Sequence, residues 1–255
     1  MSRFSKRNWD RSSNPFMKED AYRNAANQPL DAEYANAGVQ PMTVQGAINK
    51  TFILTGLMLL TAIFAYSNPN PLFMWGGAIG GLMVVLIASF RPQNSPVLAP
   101  IYALLEGLFV GGISAMYAYL YDGIIFNAVC LTMATLFMML FIYKAGIIKV
   151  TNKFRTGVMM ATGAIFLVYL LTWILSMFGI NMPFIHEGGM IGIGITVVII
   201  GVAALNLLLD FDNFEKGERY GAPAYMEWFS AMGLLITLVW LYIEFLRLLS
   251  LLSSD

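Results

Sequence analysis

The sequence predicts an all-α polytopic membrane protein with seven transmembrane helices, on three observations. The first is composition: 58% of the 255 residues are hydrophobic and only 12% are charged, whereas soluble domains are about a quarter charged. The second is the presence of seven apolar runs, most of them near the length of about 20 residues that a membrane-crossing helix needs. The third is that Lys and Arg fall on alternate connections between these runs.

Turn-forming segments separate the seven runs, among them SNPNP and RPQNSP after the first two. We expect the short first run to begin a few residues early, near Val44. The segment before it, residues 1–43, is polar and lacks sustained periodicity, which predicts a flexible tail. The chain therefore divides into this tail and a seven-helix transmembrane domain, residues 44–255, whose apolar runs cover 51–67, 72–90, 97–120, 124–143, 156–179, 190–210 and 229–252.

The basic residues predict the orientation. Fourteen of the 15 Lys and Arg lie in the segment up to Lys50 or in the second, fourth and sixth connections, and the other three connections hold none. Loops rich in Lys and Arg stay in the cytoplasm, so we expect a cytoplasmic tail and an outside C-terminus. The fifteenth basic residue, Arg247, lies inside the last run.

Several classes of function are excluded or disfavoured. A net charge of zero, with no basic tail, gives no electrostatic footprint for nucleic acid. The single cysteine, Cys130, and the single histidine, His186, exclude an internal disulfide and metal sites built from several thiolates or histidines. No histidine lies at membrane depth to activate Ser114 or Ser176, and only Asp210 among the aspartates approaches that depth. We therefore do not expect an enzyme.

Small residues recur at four-residue spacing in MWGGAIGGL and EGLFVGG. This spacing lets helix backbones approach one another closely. We interpret it as tight packing within the chain rather than as a dimer face.

Two glutamates lie inside apolar runs, where ionisable groups are costly and usually face an interior or a water-filled cavity. Glu106 lies about 15 Å into its run, near mid-membrane, and Glu244 about 22 Å along the last run, at 1.5 Å per residue. Arg247 follows Glu244 on the same helical face. A purely structural alternative exists for each, an acid bonded to a neighbouring helix for Glu106 and an ion-paired anchor for Glu244.

The sixth run ends in LLLDFDNF. Asp210 follows three leucines and has Asn206 one turn before it, so we expect it to turn inward, whereas Asp212 is expected to mark the water boundary. Carboxylate oxygens suit Ca²⁺, and buried or neighbouring carboxyl groups can bind protons near neutral pH. Asp210, Glu106 and Glu244 together predict an ion pathway closed by protonation-dependent hydrogen bonds, with transient Ca²⁺ contacts at Asp210 and Glu106.

The order of these features resembles the Bax inhibitor-1 (transmembrane Bax-inhibitor-motif) family, in its bacterial YccA-like branch. The resemblance rests on the seven runs, on LLLDFDNF and on LVWLYIEFLRLLSLLSSD in the last run, and it covers about residues 45–255. It implies a last helix enclosed by the other six and the inner membrane of a bacterium. It also implies a pH-sensitive Ca²⁺ leak, gated by aspartates on the sixth and seventh helices with an arginine from the second as a latch.

Carried onto this sequence, the sixth-helix aspartate matches Asp210 and the latch arginine matches Arg91. The seventh-helix aspartate has two candidates. Matching its motif leads to Glu244, and matching the chain ends leads to Thr237, which cannot titrate; the two are seven residues apart and share a helical face. Glu106 is a further candidate as the replacement partner of Asp210 or Glu244.

The resemblance also implies a second function, because some bacterial members bind and restrain a membrane-bound AAA protease. The flexible tail is the relevant feature, since such proteases grip unstructured ends. Apart from such a protease, the expected partner is the lipid bilayer, with the chain as a monomer. No cofactor is expected, and Ca²⁺ enters as the transported ion.

Overall fold

A computed structural model describes residues 40–179 and 189–253, and these residues contain seven helices long and apolar enough to cross a membrane. The predicted fold class and the start of the first helix at Val44 are confirmed. His186 and nearly all of the predicted flexible tail lie outside the described residues. The helices are α1 (Val44–Ser67), α2 (Pro71–Phe90), α3 (Ser95–Leu120), α4 (Ile124–Lys144), α5 (Asn152–Met177), α6 (Met190–Arg219) and α7 (Tyr225–Ser253), and a short 3₁₀-helix, Pro92–Asn94, precedes α3.

Polar residues in the connections set where helices begin. Thr43 Oγ1 accepts a hydrogen bond from the Gly46 N–H at 2.9 Å and caps α1. Asn70 Oδ1 accepts from the Leu72 N–H at 2.8 Å and caps α2. Side-chain acceptors of this kind satisfy N–H groups that have no partner within the helix.

Helix α6 continues to Arg219, well beyond its predicted end at residue 210. The extra turns form because Phe211 is buried and because Lys216 pairs with Asp212 one turn earlier, at 3.2 Å. The chain then leaves the helix at Gly221, whose φ of +65° suits a residue without a side chain. Charged residues that the sequence places in a loop are therefore part of the longest helix.

Helix α7 is the most buried of the seven. Within its most apolar 18 residues, 61% are buried, against 11% for α5. It packs against α1, α3, α4 and α6. Its enclosure by all six other helices remains a prediction of the resemblance.

The glycine pattern produces close packing within the chain, as predicted. A Cβ atom at Gly107 of α3 would lie 2.2 Å from the Met58 carbonyl oxygen of α1, and one at Gly111 would lie 2.2 Å from the Ala62 carbonyl oxygen. A Cβ atom at Gly77 of α2 would meet the backbone of α3 at 2.5 Å. These glycines let α1 and α2 pack directly on the backbone of α3.

The helix bundle has two ends. We call the end where α1, α3, α5 and α7 begin, and α2, α4 and α6 finish, the basic end, because the described Lys and Arg other than Arg247 belong to it. The other is the opposite end.

A short segment, residues 40–43, lies across the basic end, and we call it the strap. The Met42 N–H donates to the Ala222 carbonyl oxygen at 2.6 Å, and the Ala224 N–H donates to the Gln40 carbonyl oxygen at 3.1 Å. The strap thus pairs with the loop between α6 and α7.

Glu227, in the first turn of α7, joins the strap to α1. Its Oε1 accepts from the Thr43 N–H at 2.9 Å, and its Oε2 pairs with Lys50 Nζ at 2.8 Å. A Cβ atom on Gly46 would lie 1.9 Å from Oε1. One carboxylate therefore fixes the starts of α1 and α7 together, and a side chain at position 46 has no room.

Candidate functional site

Asp210 faces α7 from the interior side of α6. The residue is 7% exposed, and the three leucines before it are fully buried. Thr237 Oγ1, on α7, donates a hydrogen bond to Asp210 Oδ2 at 2.7 Å. A carboxyl group with so little contact with solvent depends on such a partner, so the α6–α7 contact is built around this pair.

A cluster of charges lies next to Asp210, toward the basic end. Arg155, in the first turn of α5, forms an ion pair with Asp212 and donates to Asn213 Oδ1 at 2.9 Å. Lys216 adds a second pair to Asp212, and Arg155 also attracts Asp210. We call Arg155, Asp212, Asn213 and Lys216 the basic-end cluster.

Asp212 does not simply mark a water boundary, as the sequence led us to expect. Its side chain is 15% exposed and carries two ion pairs. The reason is that α6 does not end at this residue but continues past it, so that Arg155 and Lys216 can cover its carboxylate.

Arg91, the predicted latch, lies elsewhere. It ends α2 and is exposed. In this structure the arginine beside the two aspartates is Arg155.

Asn206 lies one turn from Asp210 but faces a different helix. Its Nδ2 donates to Thr162 Oγ1 of α5 at 2.8 Å and to the Val202 carbonyl oxygen at 2.9 Å. Its buried Oδ1 has no hydrogen-bond partner in the described part of the chain. Asn206 therefore links α6 to α5, whereas Asp210 links α6 to α7.

Glu106 faces α2 rather than the aspartates. Its Oε2 would lie 3.0 Å from a Cβ atom on Gly81, and its carboxyl group hydrogen-bonds to Tyr102, one turn earlier on α3. The hydrogen-bond partner of Asp210 is Thr237, so the hypothesis that Glu106 replaces the missing partner is not supported by these contacts.

Glu244 belongs to a third environment, in the opposite half of α7. It is 3% exposed. The hydroxyl of Tyr169, on α5, donates to Glu244 Oε1 at 2.6 Å and accepts from Arg247 Nη1 at 2.9 Å. The predicted pairing of Glu244 with Arg247 thus runs through a tyrosine hydroxyl that lies between them.

The three predicted carboxylates do not form one metal site. Within residues 40–179 and 189–253, no group of three or more His, Cys, Asp or Glu side chains could hold a metal ion. The transient Ca²⁺ contacts predicted at Asp210 and Glu106 would each involve a separate carboxylate.

Comparison with known families identifies the family of this chain. A family model described as "Bax inhibitor 1 like" matches residues 14–254. The chain belongs to the Bax inhibitor 1 like family. No curated protein and no solved structure matches it significantly.

Membership of the Bax inhibitor 1 like family bears on the two candidates on α7. The family resemblance implied a titratable partner for the sixth-helix aspartate. The residue that contacts Asp210 is Thr237, the position obtained by matching the chain ends, and Glu244 contacts Tyr169 instead. A hydroxyl thus stands where the resemblance led us to look for a carboxyl group.

The match to the Bax inhibitor 1 like family also extends the resemblance. It begins at residue 14, inside the segment that we expected to lie outside the family pattern. The family pattern therefore includes part of the tail.

Sequence reasoning missed several residues of these environments, among them Arg155 and Tyr169. Arg155 had a signal, since it stands at the start of an apolar run at the end of the bundle where Asp212 was expected. Tyr169 had none, because a tyrosine within an apolar run is an ordinary packing residue until its partner on another helix is known.

Proposed function

We propose that this protein is a pH-sensitive Ca²⁺ leak of a bacterial inner membrane, with its basic end in the cytoplasm and its C-terminus outside. Its gate is the contact between α6 and α7 at Asp210. Its conducted ion is Ca²⁺, which carboxylate, hydroxyl and amide oxygens bind without thiolate or histidine ligands.

One observation carries the proposal. Asp210 is a carboxyl group buried between two membrane helices and is held by a hydroxyl, Thr237, rather than by a fixed opposite charge alone. Ionisable groups inside the membrane are costly and commonly mark ion or proton pathways. Protonation of Asp210 changes the charge of the α6–α7 contact by one unit, which gives the contact two states that pH selects.

The basic-end cluster supplies the second part of the gate. Arg155 attracts Asp210 while it pairs with Asp212. A neutral Asp210 loses this attraction, whereas the contacts of Arg155 with Asp212 and Asn213 remain. We therefore assign to Arg155 the latch function that the family resemblance led us to expect at Arg91.

A path from the opposite end leads toward this gate. A crevice of about 590 Å³ between α3, α5 and α7 is lined by Glu244, Tyr169 and Thr162, among others. Thr162 is hydrogen-bonded to Asn206, one turn from Asp210. Polar oxygens thus extend from Glu244 through Thr162 and Asn206 toward Asp210.

The proposal is tested by Ca²⁺ flux into liposomes that contain the purified protein and an internal fluorescent Ca²⁺ indicator. We expect the initial rate of wild-type flux to change between pH 6 and pH 8. In Asp210→Asn the group cannot titrate, so its flux is expected to lose most of this pH dependence.

The matched control is Asp122→Asn, the same change at an exposed aspartate in the connection between α3 and α4. It is expected to keep the wild-type pH profile. Absence of wild-type flux at every pH from 6 to 8 would refute the leak, and an unchanged profile in Asp210→Asn would refute Asp210 as the gate.

A second function, regulation of a membrane-bound AAA protease, is favoured by the strap. The strap ties the exit of the N-terminal tail to the loop between α6 and α7 through Ala222 and Ala224. A protease that pulls on residues 1–39 would therefore apply force to the loop that follows the basic-end cluster.

Deletion of residues 1–39 tests this second function while it leaves the strap in place. If the protease engages the protein through this tail, the deletion slows degradation of the protein or relieves its inhibition of the protease. Equal degradation and equal protease activity with and without the tail would count against it.

A further inference from the structure

The crevice at the opposite end has the composition of an amphiphile site. Its walls combine apolar side chains from two helices, Ile165 and Phe166 of α5 and Trp240 and Ile243 of α7, with a polar group around Glu244. Helix α5 has only 11% of its most apolar window buried, and Phe166 is 64% exposed. The crevice therefore borders the surface that faces lipid in a membrane.

Glu244 is incompletely satisfied in this crevice. Tyr169 donates to its Oε1, and the indole N–H of Trp240 also interacts with the carboxyl group. Its Oε2 is buried and has no hydrogen-bond partner among the described residues. Leaving a buried carboxylate oxygen without a donor is unfavourable, so this oxygen is a place where a ligand that brings a donor gains affinity.

The depth of the site suits a lipid headgroup. An apolar layer of about 30 Å corresponds to about 20 helical residues. Counted along α7 from Trp228 near the basic end, such a layer reaches its far boundary near Leu248. Arg247 then lies at that boundary, and Glu244 lies about one turn inside it.

The chemistry of the site selects among headgroups. Oε2 of Glu244 calls for a hydrogen-bond donor, and a cationic N–H donor forms the stronger, charge-assisted bond with a carboxylate. Arg247 places a positive charge one turn nearer the membrane surface. A headgroup that folds back, with its primary ammonium in the crevice and its phosphate nearer the surface, matches both charges.

We propose that this crevice binds an aminophospholipid, with the primary ammonium of its headgroup on Glu244 Oε2, its phosphate toward Arg247 and an acyl chain along Ile165 and Phe166. This site lies at the mouth of the path proposed for Ca²⁺. The proposal of a lipid site rests on Glu244 and the crevice, and it does not depend on whether the chain conducts ions.

Lipid retention measured by native mass spectrometry tests the proposal. The full chain, freed from detergent in the gas phase, is compared after incubation with phosphatidylethanolamine, phosphatidylcholine or phosphatidylglycerol of the same acyl chains. We expect phosphatidylethanolamine to be retained best, because the quaternary ammonium of phosphatidylcholine has no N–H and phosphatidylglycerol has no cation. Glu244→Gln is expected to lower its retention about tenfold, as loss of a hydrogen bond between charged groups does.

Two further variants keep the test decisive. Asp122→Asn, at an exposed aspartate of the same end, is expected to retain phosphatidylethanolamine as wild type does. Ile165→Trp fills the crevice and leaves Glu244 in place, so it is expected to lower retention as well, with an unchanged far-UV circular dichroism spectrum as the check on folding.

Equal retention of the three lipids by wild type would overturn the proposal, and so would full retention of phosphatidylethanolamine by Glu244→Gln. Preference for phosphatidylglycerol would also overturn it, since the anion would then bind through Arg247 without Glu244. None of these outcomes depends on Ca²⁺ flux, so failure here is distinguishable from failure of the proposed leak.

Discussion

The basic-end cluster and the crevice around Glu244 each combine an arginine with a buried or nearly buried acid, and they differ in how the two meet. At the basic end Arg155 contacts Asp212 directly, and Lys216 and Asn213 complete the cluster. At the opposite end Tyr169 lies between Glu244 and Arg247, and one oxygen of Glu244 has no partner among the described residues. In the first arrangement the arginine and the acid pair directly, whereas in the second a carboxylate oxygen beside the crevice is left for a ligand.

The two regions also differ in packing. At the basic end, a Cβ atom at Gly46 would displace the Glu227 carboxylate from its contacts with Thr43 and Lys50. Around Glu244 there is a crevice of about 590 Å³. This contrast predicts that substitutions at the basic end lower the stability of the protein far more than substitutions at Glu244.

The largest expected effect is that of Arg155→Met. Removal of Arg155 leaves Asp212 with its ion pair to Lys216 and takes a donor from Asn213, so we expect a cost near the lower end of the roughly 3–5 kcal/mol for breaking a buried ion pair. We expect a large fall in the melting temperature in detergent micelles, followed by far-UV circular dichroism. Arg91→Met, the same change at an exposed arginine, should melt like wild type, and similar melting of both variants would show that the basic-end cluster is not a stabilising contact.

Gly46→Ala is expected to have the next largest effect. The new methyl group would lie 1.9 Å from Glu227 Oε1, and forced overpacking of this kind costs about 1–3 kcal/mol. The control is Gly56→Ala on the same helix, where nothing lies within 4 Å of the added atom. A Gly46→Ala protein as stable as the Gly56→Ala protein would mean that the strap and Glu227 do not hold α1 tightly.

Thr237→Val should have a smaller effect on stability. It keeps the shape of the side chain but removes the hydrogen bond to Asp210. Because Arg155 still attracts Asp210, we expect the low end, about 1 kcal/mol, of the cost of an unsatisfied buried acceptor. The change should also alter the pH profile of Ca²⁺ flux, because Asp210 loses its partner on α7. Thr135→Val, at a half-buried threonine whose hydroxyl donates to the Leu131 carbonyl oxygen of the same helix, α4, is the control, and equal behaviour of the two variants would remove Thr237 from the gate.

Glu244→Gln should have the smallest effect in detergent. Tyr169 can still donate to the remaining carbonyl oxygen, and among the described residues Oε2 has no hydrogen-bond partner to lose. We expect a change within about 1 kcal/mol, measured by the same thermal unfolding. A fall in melting temperature as large as that of Arg155→Met would show that Glu244 makes a stabilising contact like those of the basic-end cluster. The contrast between the two regions would then disappear.

Much of the fold follows from local sequence. Apolar runs of membrane-spanning length predict helices because every backbone polar group within lipid must be bonded inside its own segment. Turn residues such as Asn70 then cap the helices where the runs begin. The prediction fails at the end of α6, where charged residues continue the helix because their partners, Arg155 and Lys216, lie on α5 and one turn along α6.

The site was predictable in part. The depth of Glu106, Asp210 and Glu244 along their helices indicates that each needs a partner, and each has one: Tyr102, Thr237 and Tyr169. Which partner each has was not predictable, because position along a helix gives depth but not rotation relative to the neighbouring helices.

The sequence by itself determined the membrane class, the seven spans and the depth of each carboxylate, because hydrophobicity and helical rise are local properties. Only the tertiary structure decided that Thr237 rather than Glu244 contacts Asp210, that Arg155 rather than Arg91 joins the aspartates, and that Glu244 lines a separate crevice. These contacts depend on the rotation and packing of helices that lie far apart in the chain. Such contacts produce no periodic pattern in the sequence of any single segment.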